Sequence, residues 1–376
     1  MKLNKVSIKG LNSKINCDFS FNDDINIVTG INGSGKTALL KIIWYAISGN
    51  IERIAPEISF DSFYLETSLY SISLFFNKEQ EVIDWKYDNN KLSTEGSFAL
   101  RRKNYYNKDE SDTLNQLIVA SPTSSLFFPT FRIIEGGYSM TATDMRKVRR
   151  QFVDGETITT IAEHTEIDEE FNRLSHRLSV LNHKFICSIS THNIVSLLTS
   201  RYARVSEQLN NYYLELSTSI IGQIEGVKSD IRDNKEEAFT ILSELQKEAR
   251  DISRKNKELL TPFTVLSELT ETIFQHKGIR ARSVTLGESI DAIDSSVLSA
   301  GEKQMLSFLC YNAFYENSVI FIDEPELSLH PDWQRRLFPI LLKQQASNQF
   351  VVATHSPFIY SKYEDKELVM SKEKGA

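Results

Sequence analysis

The chain has 376 residues, 41% of them hydrophobic and 25% charged, which is the make-up of a soluble protein of about two domains with a sizeable core. A net charge of −7 argues against a whole-surface affinity for nucleic acid and leaves only local patches for such a contact. Three widely spaced cysteines, Cys17, Cys187 and Cys310, form no metal-spaced pair, no apolar run reaches the length of a membrane span, and Met1-Lys-Leu-Asn-Lys-Val does not read as a signal peptide. The expectation is a cytoplasmic protein with no membrane partner.

Residues 5–8 and 15–21 read as short strands, and Asp24-Ile-Asn-Ile-Val28 as an apolar-rich run fit for a buried strand. Gly30-Ile-Asn-Gly-Ser-Gly-Lys36-Thr37 then satisfies G-x-x-x-x-G-K-[ST] in full. Ala38-Leu-Leu-Lys-Ile-Ile-Trp-Tyr-Ala46 follows as a helix, so the motif has the strand, loop and helix that it needs. The glycines let the backbone N–H groups of Asn32, Gly33, Ser34 and Gly35 face phosphates, and the helix N-terminus adds partial positive charge. Lys36 suits the β- and γ-phosphates of ATP, and Thr37 suits Mg²⁺.

Residues 60–90 read as further strands of an antiparallel edge sheet, clearest at Ser68-Leu-Tyr-Ser-Ile-Ser-Leu-Phe-Phe76. Residues 88–112 are polar and charged and read as a loop. Ser125-Leu-Phe-Phe-Pro-Thr-Phe-Arg-Ile-Ile134 reads as a core strand that runs into a Glu135-Gly-Gly137 turn. Two basic clusters, Arg101-Arg-Lys103 beside Tyr105 and Tyr106, and Arg146-Lys-Val-Arg-Arg150, are either phosphate contacts or solvated surface.

From about 140 to 285 the character changes. Val205, Leu209, Tyr212, Leu216, Ile220, Ile224, Val227 and Ile231 recur in steps of three and four, and the pattern restarts as Ala238, Leu242, Leu245, Ala249, Ile252. This predicts an antiparallel helical hairpin turning near 232–236, with arms of roughly 35–45 Å at 1.5 Å per residue. The adjacent pairs Tyr212-Tyr213 and Ile220-Ile221 imply more than one packed face.

Leu298-Ser-Ala-Gly-Glu-Lys303-Gln precedes an apolar helix over 304–314. A serine and bare backbone amides at a helix start make an anion site, and read in isolation they also make an ordinary N-cap. Ser318-Val-Ile-Phe-Ile322 is a buried strand ending in Asp323-Glu324. Asp323 suits the Mg²⁺ shell, and Glu324, on the other side by alternation, suits polarisation of an attacking water. Phe350-Val-Val-Ala-Thr354 is another buried strand, tipped by His355, which is placed to sense a γ-phosphate.

The motif order resembles the ABC-type ATPases, in particular the SMC-like and OLD-like branch that includes the AAA-15 and AAA-21 families. Leu298-Ser299-Ala300-Gly301-Glu302 is similar to the LSGGQ signature, departing from it at Ala300 and Glu302. Asp323-Glu-Pro-Glu-Leu-Ser-Leu-His330-Pro331 resembles that branch's Walker B and D-loop run, and Thr354-His-Ser-Pro357 resembles its switch. The resemblance covers roughly residues 1–50 and 290–370.

It implies an α/β ABC-type P-loop ATPase head with an antiparallel edge sheet and an inserted helical subdomain, divided as 1–139, 140–285 and 286–376. It also implies ATP and Mg²⁺ as cofactors. Ser299, Gly301 and Glu302 of one chain would meet ATP held by another chain's loop, giving a homodimer or higher even oligomer. Standalone ATPases of this kind resemble subunits of bacterial anti-phage systems such as PARIS, Septu and retrons, in which a nuclease or toxin is a separate effector. OLD nucleases carry a toprim domain after the ATPase, whereas only the tail 356–376 follows His355 here. A DNA-repair ATPase resembling RecF or a short SMC-like protein, binding DNA in its ATP state, is the alternative.

Overall fold

Period-two burial marks the first sheet. The computed structural model describes residues 1–99, 108–134, 147–153, 156–162, 166–226, 235–273, 298–344 and 346–370. β1 (Leu3–Leu11), β2 (Ile15–Ser20), β4 (Ser62–Thr67), β5 (Tyr70–Asn77), β6 (Val82–Asn89) and β7 (Leu92–Ala99) form an antiparallel sheet in the order β2-β1-β4-β5-β6-β7. β4 buries alternate residues, Phe63 and Leu65 among them, against the core.

Continuous burial marks the second sheet. β3 (Ile25–Thr29), β8 (Ser125–Phe128), β12 (His183–Phe185), β14 (Val319–Asp323), β15 (Gln349–Ala353) and β16 (Glu367–Val369) run parallel in the order β12-β8-β14-β15-β3-β16. Every residue of β3, β8, β14 and β15 is buried, as expected of a parallel sheet covered on both faces. α1 (Lys36–Ser48) touches β8, β14 and β15 of this sheet and β1 of the other, so it is apolar nearly all round. Trp44 is its anchor, fully buried within 5.4 Å of the rings of Phe127 and Phe185.

The chain divides into two compact units. The first holds Met1–Ser190, Leu298–Phe308 and Tyr315–Ala376, and the second Thr191–Val297 and Leu309–Phe314. In addition to the sheets, the first unit contains α2 (Ile54–Glu57), α3 (Lys108–Val119), α4 (Glu166–Leu178), α8 (Pro331–Lys343) and α9 (Pro357–Tyr360). It also contains the short pair β9 (Ile133–Ile134) with β13 (Ser188–Ile189), and the hairpin β10 (Lys147–Val153) with β11 (Glu156–Ala162). The expected domain limits at 139/140 and 285/286 fall outside the described residues, as do the 135–137 turn, the 101–106 cluster and Arg146.

The second unit is a pair of long helices, α5 (Thr191–Gly226) and α6 (Lys235–Ile273). Tyr202 meets Phe263, Tyr212 meets Lys255 and Ser219 meets Glu248, so numbers rise on one helix as they fall on the other and the pair is antiparallel. At 36 and 39 residues the helices are about 55 Å long, longer than the sequence pattern predicts because the helices continue beyond the regular apolar stripe. The stripe Val205, Leu209, Tyr212, Leu216, Ile220 is the half-buried face of α5. On α6 the seam shifts to Leu245, Glu248, Ile252, Asn256 and Leu259, and Leu242 stays 62% exposed. Ile221 is 55% exposed, whereas Tyr213, 46% exposed, reaches the seam with its hydroxyl, which accepts from Asn256 at 3.0 Å.

Three local readings are corrected. Residues 88–112 are not one loop, because β7 is an edge strand whose outward residues are polar and which lacks an apolar stripe. Residues 125–134 are two strands, not one: Pro129 cannot donate to a sheet ladder, and β8 and β9 lie in different sheets. The interval 140–285 is not helical throughout, since β10 and β11 pair antiparallel within it, and strands of seven residues carry no helical period. Among the described residues, no helix is long and apolar enough to cross a membrane.

α7 (Ala300–Phe314) belongs to the first unit as far as Phe308 and to the second from Leu309.

Candidate functional site

Four parallel strands deliver the chemistry to one edge. In the registers Phe128 beside Ile322, Asp323 beside Ala353 and Ala353 beside Val28, the carboxyl ends of β8, β14, β15 and β3 lie side by side. The chain leaves that edge as Pro129-Thr130, Glu324, Thr354-His355 and Gly30. Open α/β sheets bind ligands at this edge.

The phosphate loop is built for close backbone approach. Gly33 and Gly35 have φ of 80° and 86°, values that L side chains rarely adopt, and a Cβ at Gly33 would meet nothing within 4 Å. Gly35 is the N-cap of α1 and no side chain caps the helix, so its first amides remain open to an anion. Lys36 Nζ donates to the carbonyls of Gly30 at 3.0 Å and Ile31 at 3.1 Å, folded back over its own loop. Burial lowers its pKa, against the raising pull of Glu324, Asp323 and Glu326. Thr37 is exposed at the helix start. Among the described residues the buried Ser34 hydroxyl has no partner, a polar atom inside the loop that a phosphate oxygen would satisfy.

Asp323 and Glu324 have different surroundings. Asp323 is 1% exposed; its Oδ2 accepts from the Thr130 hydroxyl at 2.5 Å, and its buried Oδ1 has no partner among the described residues. That orphan oxygen fits a metal's hydration shell, and with Thr37 it meets what Mg²⁺ asks of a protein when phosphates supply other ligands. Glu324 is half-buried and has φ of 50°, a left-handed backbone that costs a non-glycine residue about 1–3 kcal/mol. Burial, then Asp323 and Glu326, raise its pKa above 4.5, while His355 and Lys36 pull it down.

The Arg132 guanidinium braces this corner. Nη1 donates to the carbonyls of Pro129 and Asp323, each at 2.8 Å, and Nη2 to the carbonyl of Glu324 at 2.9 Å. Burial lowers its pKa to about 10 against the pull of Asp323, Glu326 and Glu324, so it stays charged at neutral pH.

A second network ties the switch to the turn after β14. The Glu326 carboxylate accepts the His355 N–H at 2.7 Å and the Thr354 hydroxyl at 2.8 Å. Gln334 on α8 donates to the Leu329 carbonyl at 2.7 Å and accepts from the Ser356 hydroxyl at 2.5 Å. Sequence reasoning missed Thr130, Arg132, Glu326 and Gln334 as site residues. Glu326 stood in plain view in Asp-Glu-Pro-Glu, and Pro129 was the available signal that the chain turns at the sheet edge just before Thr130 and Arg132.

Ser299 and Glu302 form a reciprocal cap on α7. The Glu302 carboxylate accepts from the Ser299 amide and hydroxyl, both at 2.7 Å, and the Glu302 amide reaches back to the Ser299 hydroxyl at 3.4 Å. Gly301 faces the backbone of the turn after β14, and a Cβ there would lie 2.3 Å from the Ser328 carbonyl oxygen. Gln304 donates to the Pro325 carbonyl at 2.9 Å. Thus the structure brings Lys36, Asp323, Glu324 and His355 to one edge, and Ser299, Gly301 and Glu302 to the start of α7 against the 325–329 turn.

The sequence profile of the family described as "AAA domain, putative AbiEii toxin, Type IV TA system" matches residues 160–361. That span takes in the signature-like segment, Asp323-Glu324 and His355, and the phosphate loop lies upstream of it. The Retron Ec83 probable ATPase of Escherichia coli is 36% identical over 73 residues, which is 16% of this chain and 14% of that protein. The match therefore spans about one seventh of that curated relative's length. Two solved structures align along most of the chain at low similarity. The Smc head domain with an extended coiled coil bound to the C-terminal domain of ScpA, derived from Pyrococcus furiosus, has a TM-score of 0.37 at 13% identity, covering 96% of this chain and 91% of that one. The SmcHead bound to the C-winged helix domain of ScpA has a TM-score of 0.40 at 12% identity, with the same coverage.

Proposed function

The chain belongs to the AAA_21 family of AAA domains described as putative AbiEii toxins of type IV toxin–antitoxin systems, and on that premise we propose that it binds Mg²⁺–ATP, hydrolyses it and closes as a dimer around it. In this reading the dimer state is passed to a separate effector, a nuclease or toxin, in anti-phage defence. The likeness to a retron's probable ATPase supports that setting. The observation that carries the catalytic part is the shared sheet edge, with Lys36 over its loop, an unpartnered Asp323 oxygen, and Glu324 within electrostatic reach of both Lys36 and His355.

The residues divide the work. The loop amides and Lys36 hold the phosphates. Thr37 and Asp323 would hold Mg²⁺, which supplies charge neutralisation on the transferring phosphoryl group. Glu324 polarises the attacking water as its general base. His355, anchored through its amide, presents its imidazole to the γ-phosphate. Ser299 and Gly301 meet the γ-phosphate of the second chain's nucleotide, and Glu302 serves them as the cap that orders the helix start.

The test is a pair of variants. Glu324→Gln should bind ATP normally and lose hydrolysis by at least tenfold, while Lys36→Ala should lose ATP binding itself. Wild-type turnover by purified Glu324→Gln would contradict the assignment.

A further inference from the structure

We propose that Arg132 is a positioning residue for hydrolysis: its guanidinium holds the backbone of Glu324 in the one conformation that aims the carboxylate at the phosphate loop. The inference rests on the reading of Glu324 as the water-polarising group and goes beyond it by naming what keeps that group in place.

The geometry carries it. Glu324 is a non-glycine residue at φ 50°, a conformation that relaxes unless its surroundings hold it. Both of its backbone polar groups are held. Its N–H donates to the Ala353 carbonyl at 2.8 Å, extending the β14–β15 ladder by one residue. Its carbonyl receives Arg132 Nη2 at 2.9 Å and the Leu327 amide at 3.3 Å.

Arg132 Nη1 spans the preceding carbonyl, that of Asp323, and the Pro129 carbonyl on the neighbouring strand exit. The planar fork thus fixes two successive peptide groups against a third, which a single ammonium cannot reproduce. The fork is itself located from above, since the guanidinium lies 5.9 Å from the centre of the Phe308 ring on α7. Phe308 in turn packs edge-on against Phe128, 5.0 Å between centroids. Arg132 therefore stands between α7, the helix that Ser299 caps, and the peptide that orients Glu324. Among the described residues these three hydrogen bonds of Arg132 all go to carbonyl oxygens and none to a carboxylate, so its service is to the shape of the chain.

The test compares Arg132→Lys, which keeps the charge and loses the fork, with Arg132→Gln, which keeps two donors and loses the charge, each checked for a wild-type melting profile. Nucleotide affinity is read with a fluorescent ATP analogue and turnover by phosphate release. For whichever variant folds, ATP affinity should stay within threefold of wild type while kcat falls at least tenfold. In a Glu324→Gln background the same change should lower the residual rate by less than twofold, because the group that it positions is gone. Wild-type kcat in a folded variant, a loss of affinity as large as the loss of kcat, or a further tenfold loss on top of Glu324→Gln would overturn the role of Arg132. If Glu324→Gln alone turns over at the wild-type rate, the reading of Glu324 fails instead.

Discussion

The carboxylate of Glu326 receives the backbone N–H of His355 at 2.7 Å, and with its other oxygen the hydroxyl of Thr354 at 2.8 Å. The turn after β14 and the tip of β15 are therefore one hydrogen-bonded body. Glu326→Ala removes both bonds and takes away the acceptor of the Thr354 O–H, whose oxygen still receives the Ser356 amide, and of the partly buried His355 N–H. The expected cost is about 1–3 kcal/mol in stability. ATP hydrolysis should fall tenfold or more while ATP affinity changes little, because Lys36 and its loop are untouched. Denaturant melts and phosphate-release assays on the same preparation check this; unchanged turnover would show that His355 needs no such anchor.

Gly301 is fixed by space, not by backbone freedom. A methyl group at 301 would lie 2.3 Å from the Ser328 carbonyl oxygen, a backbone atom with little room to yield. Gly301→Ala should therefore push α7 and the 325–329 turn apart, at a cost of about 1–3 kcal/mol typical of overpacking. A fall in melting temperature together with reduced hydrolysis is the expected result, and a wild-type melting temperature the contrary one.

His183 gives a pH dependence to stability. It is 1% exposed, with Nδ1 2.8 Å from the Ser125 hydroxyl and Nε2 3.2 Å from the Thr123 hydroxyl. Burial, with Lys184 adding to it, pushes its pKa from 6.5 down to about 4. The folded chain thus keeps this imidazole neutral where the unfolded chain takes a proton. The stability that it contributes is complete above pH 6.5 and is lost as pH falls through about 4. Between pH 7 and pH 5 the loss from this one group amounts to about 2 kcal/mol. Urea unfolding at both pH values, in wild type and in His183→Gln, isolates it: the variant should lose less stability over that interval by this amount, and equal losses would count against a neutral buried imidazole.

The motifs were legible where local chemistry demands particular residues. Glycines at positive φ, a lysine at a helix start and acids at the exit of a buried strand announce themselves. β3, β14 and β15 were equally plain as short apolar runs. What escaped reading depends on long-range packing. Arg132 acts on carbonyls nearly two hundred positions away in sequence, and no local pattern marks an arginine that serves a distant backbone. β7 is an edge strand whose outward face is polar, so its composition is that of a loop. The shifted seam of α6, with Leu242 outside it, follows from the match with α5 and not from either helix alone. Glu302, expected as a nucleotide contact, also caps its own helix, since a capping box places its acid where the signature motif carries its last residue.

Dimer closure around ATP is the claim on which the rest depends, and the mass of Glu324→Gln in solution tests it most directly. Light scattering with size exclusion should give twice the mass, or another even multiple, in Mg²⁺–ATP relative to nucleotide-free protein. Lys36→Ala should show no such change. A Glu324→Gln mass that ignores Mg²⁺–ATP, under conditions where bound nucleotide is demonstrated, would contradict the account.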